Sequence, residues 1–107
     1  MIFELNEIEW TVVFVNPLNG KLRRSDGSLT VGATEIQTRT VYIADNLHPA
    51  FEWKVLCHEI VHAAMASYGV WLTIEQEELV ADLIATYGKE IIQTTDRVFS
   101  RLGRAIA

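Results

Sequence analysis

The sequence predicts an α+β fold in which a sheet of about three antiparallel strands packs on two or three helices. Up to residue 45 the chain has β-branched and aromatic clusters separated by turn-forming residues, as in short strands. After residue 45 it has long runs without Gly or Pro, with apolar side chains at helical spacing. The length of 107 residues predicts one domain over 1–107.

Three segments of the N-terminal part are candidate strands. Residues 8–15 are rich in β-branched and aromatic side chains, and 16–20 follow as a turn. Residues 21–25 are predicted to return as a hairpin strand that ends at the turn dipeptide Asp26-Gly27. Residues 35–44 are predicted to form the third strand because they combine Thr, Val, Tyr and Ile.

The first predicted helix covers residues 50–68, which contain neither Gly nor Pro. Pro49 suits a first helical position, and Gly69 suits the position just past the last turn. The second half of this segment is apolar on nearly all sides, which predicts a buried helix.

A second helix is predicted to begin at Thr73 and Gln76, which have the spacing of a capping box. Gly88 is expected to end or kink this helix. The apolar residues between Ile91 and Leu102 predict a third helix or an extension of the second.

Charge and composition exclude several classes of partner. The net charge is −5, from fourteen acidic and nine basic side chains, and the basic residues are scattered. A nucleic-acid-binding surface needs a basic patch that neutralises phosphates, and an anionic membrane selects one as well. We therefore expect neither nucleic acid nor a membrane as a partner.

Three observations predict a cytoplasmic location. The lone cysteine, Cys57, cannot form an internal disulfide. Residues 1–7 carry two acids and no basic residue, unlike a secretory signal. No apolar run approaches the roughly 18 to 20 residues that a membrane span needs.

The first predicted helix carries the pattern HExxH as His58, Glu59 and His62. Residues four apart share a helix face, so both imidazoles can point at one metal ion. Glu59 lies about 100° further round, where it can reach a metal-bound water and accept its proton. The alternative is two hydrogen-bonded core histidines beside an exposed glutamate. That alternative requires separate compensation for three polar groups in one buried turn.

A third ligand must lie elsewhere in the chain. Metzincin-type enzymes continue the motif with a glycine and a third histidine, but Met65 and Tyr68 occupy those positions here. His48 would lie about 15 Å from His58 along a helix axis, so it is predicted to start the helix instead.

Together with HExxH, the segment 78–82 (ELVAD) resembles the gluzincins, whose third ligand is a glutamate on the following helix in an ExxxD arrangement. The resemblance implies that Glu78 is the third ligand and that Asp82 accepts the N–H of a liganding histidine. Glu75 and Glu77 compete for the ligand position, and Glu77 is the closer rival. The alternative is an acidic, solvated helix face.

Size and layout also resemble the compact ImmA/IrrE-type peptidases of phages and bacteria, over about residues 35–90. This resemblance implies a minimal zincin-like domain, one Zn²⁺ per chain and a peptide or protein substrate. Residues 38–43 correspond to the strand that lines the substrate cleft in zincins, and they are either this edge or an interior strand. The oxyanion stabiliser is open among Tyr42, Tyr68 and Tyr87.

The predicted function is that of a zinc-dependent endopeptidase, which hydrolyses peptide bonds through a metal-activated water. The alternative is a non-catalytic, zinc-stabilised binding or interaction module on a protease-like scaffold. Neither form of that alternative needs Glu59, so its presence favours the enzyme.

Overall fold

The computed structural model describes residues 1–104 and confirms the α+β class. Within these residues a four-stranded sheet has the order β1-β2-β4-β3. Its strands are β1 (Ile2–Leu5), β2 (Ile8–Val15), β3 (Gly32–Glu35) and β4 (Thr40–Ala44). The helices are α1 (Pro49–Tyr68), α2 (Ile74–Leu83) and α3 (Lys89–Arg101), and a short 3-10 helix covers Gly20–Leu22.

The sheet is mixed, so the prediction of a purely antiparallel sheet is wrong. β1–β2 and β3–β4 are antiparallel hairpins, whereas β2 and β4 pair in parallel. Parallel strands need a long connection, and the chain between β2 and β4 is long enough to cross over and include β3. The first hairpin turns at Asn6 and Glu7, with φ of 51° and 62°, a conformation that sequence patterns associate mainly with Gly.

Two predicted strands are corrected by the structure. Residues 21–25 are not a hairpin strand, because Asn19 caps the 3-10 helix and only an isolated bridge joins Arg23 to Leu29. The predicted strand over 35–44 is interrupted by a turn in which the Arg39 N–H donates to the Ile36 carbonyl at 3.2 Å. β4 therefore begins after this turn, and the residues before it belong to the separate strand β3.

The ends of the helices follow the predicted local signals. His48 is the N-cap of α1, and its Nδ1 accepts from the Ala50 N–H at 3.4 Å. Gly69 ends α1 in the left-handed conformation, with a φ of 65°. Thr73 and Gln76 form the predicted capping box of α2. These contacts fix where each helix begins or ends.

The chain does not end a helix at Gly88. A π-helical turn over Ile84–Gly88 leads directly from α2 into α3, so the third helix is an extension of the second. α3 has no buried residue. The burial predicted for the second half of α1 is partial, since Val55, Ala63 and Met65 are buried whereas Ile60 and Val61 are half-buried. In the described part of the chain, no helix is both long enough and apolar enough to cross a membrane.

The core joins the two central strands to α1. Trp10 and Val12 of β2 and Val41 and Ile43 of β4 are alternate positions, so they share the sheet face that packs on the helix. At the C-terminal end of α1, the buried Trp10 Nε1–H donates to Ser67 Oγ at 2.8 Å. Because Ser67 lies nine residues after His58 and on the same helix, this bond helps to hold the HExxH segment against the sheet.

We expect Ser67→Ala to lower the free energy of unfolding by about 1 to 3 kcal/mol, because the buried indole N–H loses its acceptor. Ser100→Ala is the matched control, since Ser100 also lies in the last turn of a helix but is exposed. The control should change stability by less than about 0.5 kcal/mol. Denaturant unfolding followed by tryptophan fluorescence measures both, and equal stability of the two variants would contradict this role of Ser67.

Candidate metal centre

α1 places two imidazole nitrogens next to each other. His58 and His62 are one turn apart on the same helix, and their ring centroids are 4.9 Å apart in an edge-to-face arrangement. Their Nε2 atoms approach to 3.1 Å. Both side chains are mostly buried, with 19% and 14% exposure.

α2 brings Glu78 to the same point. Its Oε1 lies 2.8 Å from His62 Nε2, and its Oε2 lies 3.3 Å from His58 Nε2. The capping box at Thr73 sets the start of α2 and so helps to decide which of its side chains face α1. His58, His62 and Glu78 therefore offer three potential ligand atoms within 4.8 Å of one another.

A separate carboxylate contacts the outer nitrogen of each histidine. Asp82 Oδ1 is 3.0 Å from His58 Nδ1, and Glu77 Oε1 is 2.5 Å from His62 Nδ1. Each Nδ1–H can donate to its carboxylate, which leaves the Nε2 lone pair of the neutral ring facing inward. Glu77, the other candidate for the ligand position, thus contacts the outer nitrogen of His62, whereas Glu78 contacts the inner nitrogens of both histidines.

The three inward-facing groups fit a divalent metal. With both Nδ1 atoms donating to carboxylates, the two Nε2 atoms and the Glu78 carboxylate are all acceptors, and no donor lies between them. The lone pairs of these three acceptors repel one another unless a cation lies between them. Zinc bonds of about 2.0 to 2.2 Å imply about 3.3 to 3.6 Å between ligands in a tetrahedral site, and the 2.8 to 3.3 Å between these atoms lies at or slightly below the short end of that range.

Glu59 is the buried acid of the site, with 8% exposure. The Thr34 hydroxyl lies 2.8 Å from its Oε1 and 3.0 Å from its backbone carbonyl, and it can donate to either oxygen. Burial raises the pKa of the Glu59 carboxyl above its ordinary value, while a hydrogen bond from Thr34 opposes this rise. Thr34 is not among the site residues predicted from the sequence, because it becomes adjacent to Glu59 only through the fold.

Gly32 allows β3 to approach α1 at this point. A Cβ atom on Gly32 would lie 2.7 Å from Val55 Cγ1 and 3.0 Å from Glu59 Cγ, closer than side chains pack. Gly32 is also absent from the site residues predicted from the sequence. A glycine inside a β-strand is the signal that could have indicated a close approach.

The edge strand beside the site is β3, and β4 lies inside the sheet. Of the two interpretations of residues 38–43, cleft edge or interior strand, the structure therefore confirms the interior strand for the part that β4 covers. β4 lies between β2 and β3 because the β3–β4 hairpin adds a strand on the outside. The Ala44 N–H donates to the Val31 carbonyl at 2.9 Å. In an antiparallel ladder, hydrogen-bonded and non-hydrogen-bonded pairs alternate. Because Val31 and Ala44 form a hydrogen-bonded pair, the backbone N–H and C=O of Gly32 and Thr34 point away from β4, towards the open edge.

Two pockets flank the candidate metal centre. The first, which we name the Lys54 pocket, has a volume of about 270 Å³, and the second, the Ile36 pocket, about 220 Å³. Glu59 and Glu78 line both of them. The rest of the Lys54 pocket includes Arg24, Val31, Phe51, Lys54, Val55, His58, Asp82 and Ala85. The rest of the Ile36 pocket comprises Thr34, Ile36, His62 and Glu77. None of the three tyrosines considered as oxyanion stabilisers lines either pocket.

The sequence was also compared with known proteins. The family model Peptidase_M78, described as the IrrE N-terminal-like domain, matches residues 11–91, which is more than half of the chain. The matched range begins within β2, extends into the first turn of α3 and includes every residue of the candidate metal centre. No curated protein and no solved structure gave a significant match.

The positions of Glu77 and Glu78 predict different losses of metal affinity. We expect Glu78→Ala to weaken zinc binding more than Glu77→Ala, because only Glu78 faces both Nε2 atoms. A carboxylate that orients a liganding histidine typically contributes about 10- to 100-fold in affinity, which is the loss expected for Glu77→Ala. Glu75→Ala, at an exposed position of the same helix, is the control and should bind zinc like the wild type.

Competition with a chromophoric chelator at pH 7 measures the four affinities. A larger loss in Glu77→Ala than in Glu78→Ala would move the ligand position to Glu77. Unchanged affinity in both variants would remove α2 from the metal centre.

Proposed function

The chain belongs to the IrrE N-terminal-like peptidase family, and we propose that it is a zinc-dependent endopeptidase. The single observation that carries this proposal is the convergence of His58, His62 and Glu78 on one point beside a buried carboxylate. Metal dependence alone would also suit a structural site. A buried acid next to the ligands, with an open pocket on either side, favours a catalytic one.

We assign the metal to His58, His62 and Glu78, with Glu77 and Asp82 as the acceptors that hold the two rings in place. A zinc ion bound there supplies a Lewis acid that polarises the scissile carbonyl and lowers the pKa of water. In this assignment the helix pair α1–α2 fixes the direction of all three ligands, because each lies on one of these two helices.

We assign the proton transfer to Glu59. Its Oε1 is held by the Thr34 hydroxyl, and in the described residues its Oε2 has no hydrogen-bond partner. Oε2 can therefore take a proton from the attacking water and pass it to the leaving amide nitrogen.

We propose that the open edge of β3 aligns the substrate. The backbone N–H and C=O of Thr34 point to this edge, next to the residue that holds Glu59. An extended peptide can pair with an open edge through its main chain, which gives affinity without a sequence requirement. A peptide along β3 would cross the site between the Lys54 and Ile36 pockets, which then take side chains on either side of the scissile bond.

The Glu59→Gln variant separates an enzyme from a structural metal site. We expect it to bind one zinc ion and to fold like the wild type, because Glu59 is not among the three converging groups. Peptide hydrolysis should fall by about 10²- to 10⁴-fold, since the variant lacks the general base. The assay is digestion of an unfolded proteome with identification of new N-termini by mass spectrometry. Glu90→Gln, at an exposed position of α3, is the control and should cleave like the wild type.

An identical cleavage pattern from the wild type and Glu59→Gln would assign the hydrolysis to a contaminant. A zinc-loaded wild type that cleaves nothing would favour the non-catalytic binding module. In both cases the peptidase proposal fails.

A further inference from the structure

The two pockets beside the metal centre differ in charge. Glu59 and Glu78 line both pockets, and Asp82 in the Lys54 pocket is matched by Glu77 in the Ile36 pocket. Each pocket is therefore lined by three carboxylates. The two pockets differ in their cations, because Arg24 and Lys54 line only the Lys54 pocket.

Lys54 lies on α1 close to the candidate metal centre, and its side chain is available to a ligand. It lies one helical turn before His58 on α1, so the two side chains share a face of the helix. Lys54 is exposed, and none of the ion pairs within residues 1–104 involves it.

Arg24 is held by its backbone, and its guanidinium forms no ion pair with the described residues. Its N–H donates to the Ser28 carbonyl at 2.8 Å, and its own carbonyl accepts from Gly27 at 2.9 Å. The guanidinium makes one hydrogen bond, at 3.4 Å to Thr30 Oγ1, and no ion pair in the described chain. The neighbouring acid, Asp26, bonds the N–H and hydroxyl of Ser28.

Part of the pocket lining is apolar. Four apolar side chains contribute to it, Val31, Phe51, Val55 and Ala85, and the pocket has a volume of about 270 Å³. Of the three carboxylates in the lining, Glu78 and Asp82 contact His58, and Glu59 contacts the Thr34 hydroxyl. Within the described residues the two cations have no ion-pair partner, so together with the apolar side chains they favour a ligand side chain that has methylene groups and a terminal negative charge.

We infer that the Lys54 pocket selects an aspartate or glutamate side chain of the substrate, adjacent to the scissile bond. This inference rests on the proposed peptidase function. The Ile36 pocket, which has carboxylates and no cation, disfavours the same side chain. The difference between the two pockets therefore also sets the direction in which a peptide lies along β3.

Because both cations are exposed, their effect is moderate and depends on salt. We expect an acidic residue to be preferred about tenfold over its neutral amide at this position, which corresponds to about 1.4 kcal/mol. Screening should reduce the preference in 0.5 M NaCl, where the Debye length is roughly half that at 0.1 M.

The first test is the cleavage of a peptide library by the zinc-loaded enzyme, with each position near the scissile bond varied. The wild type should prefer Asp and Glu at one position. Lys54→Gln and Arg24→Gln should each weaken this preference, and the double variant Lys54→Glu/Arg24→Glu should prefer Lys and Arg instead. Arg97→Glu, on exposed α3, is the matched control and should keep the acidic preference.

The second test is independent of turnover. Fluorescence anisotropy measures the binding of labelled acidic and neutral peptides to zinc-loaded Glu59→Gln, with and without the Lys54→Gln and Arg24→Gln changes. The acidic peptide should bind about tenfold more tightly, and the two changes should remove that difference.

Cleavage without an acidic preference, or with a preference that the cation variants leave unchanged, would overturn the inference and leave the peptidase function intact. Absence of cleavage with a preference in binding would overturn the function and leave the pocket assignment. Absence of both would overturn both.

Discussion

The structure depends on one electrostatic constraint, the convergence of three acceptor groups between α1 and α2. His58 and His62 direct their Nε2 lone pairs at the same point as the Glu78 carboxylate, because Asp82 and Glu77 accept from their outer nitrogens. A cation at this point changes mutual repulsion into attraction and joins the two helices. Folding of the helix pair and binding of a metal are therefore expected to be coupled.

The sheet positions the remaining parts of the site. The hydrogen bond between Trp10 and Ser67 holds the end of α1 on β2, while Gly32 lets the edge strand approach the middle of the same helix. That approach brings Thr34 to Glu59 and places an open strand edge beside it. The acid, its orienting hydroxyl and the edge that can align a peptide thus come from a single contact between α1 and β3.

The parts of the site that depend on helix geometry could be predicted from the sequence. The spacing of His58 and His62 already places both rings on one helix face, and the ExxxD resemblance places Asp82 where the structure has it, against His58. The contact between Glu77 and His62 could not be predicted. Glu77 and Glu78 are neighbours on α2, and which nitrogen each one reaches depends on how α2 crosses α1. Gly32 and the parallel pairing of β2 with β4 join residues far apart in sequence, so no local pattern records them.

Anomalous diffraction at the zinc absorption edge, from crystals grown with one equivalent of zinc, tests the metal assignment most directly. We expect one peak per chain at about 2.0 to 2.2 Å from the Nε2 atoms of His58 and His62 and from a Glu78 oxygen. We also expect a fourth coordination position that no protein ligand occupies. A fourth ligand from the chain, a peak bound by Glu77 in place of Glu78, or no peak between the helices would contradict the account.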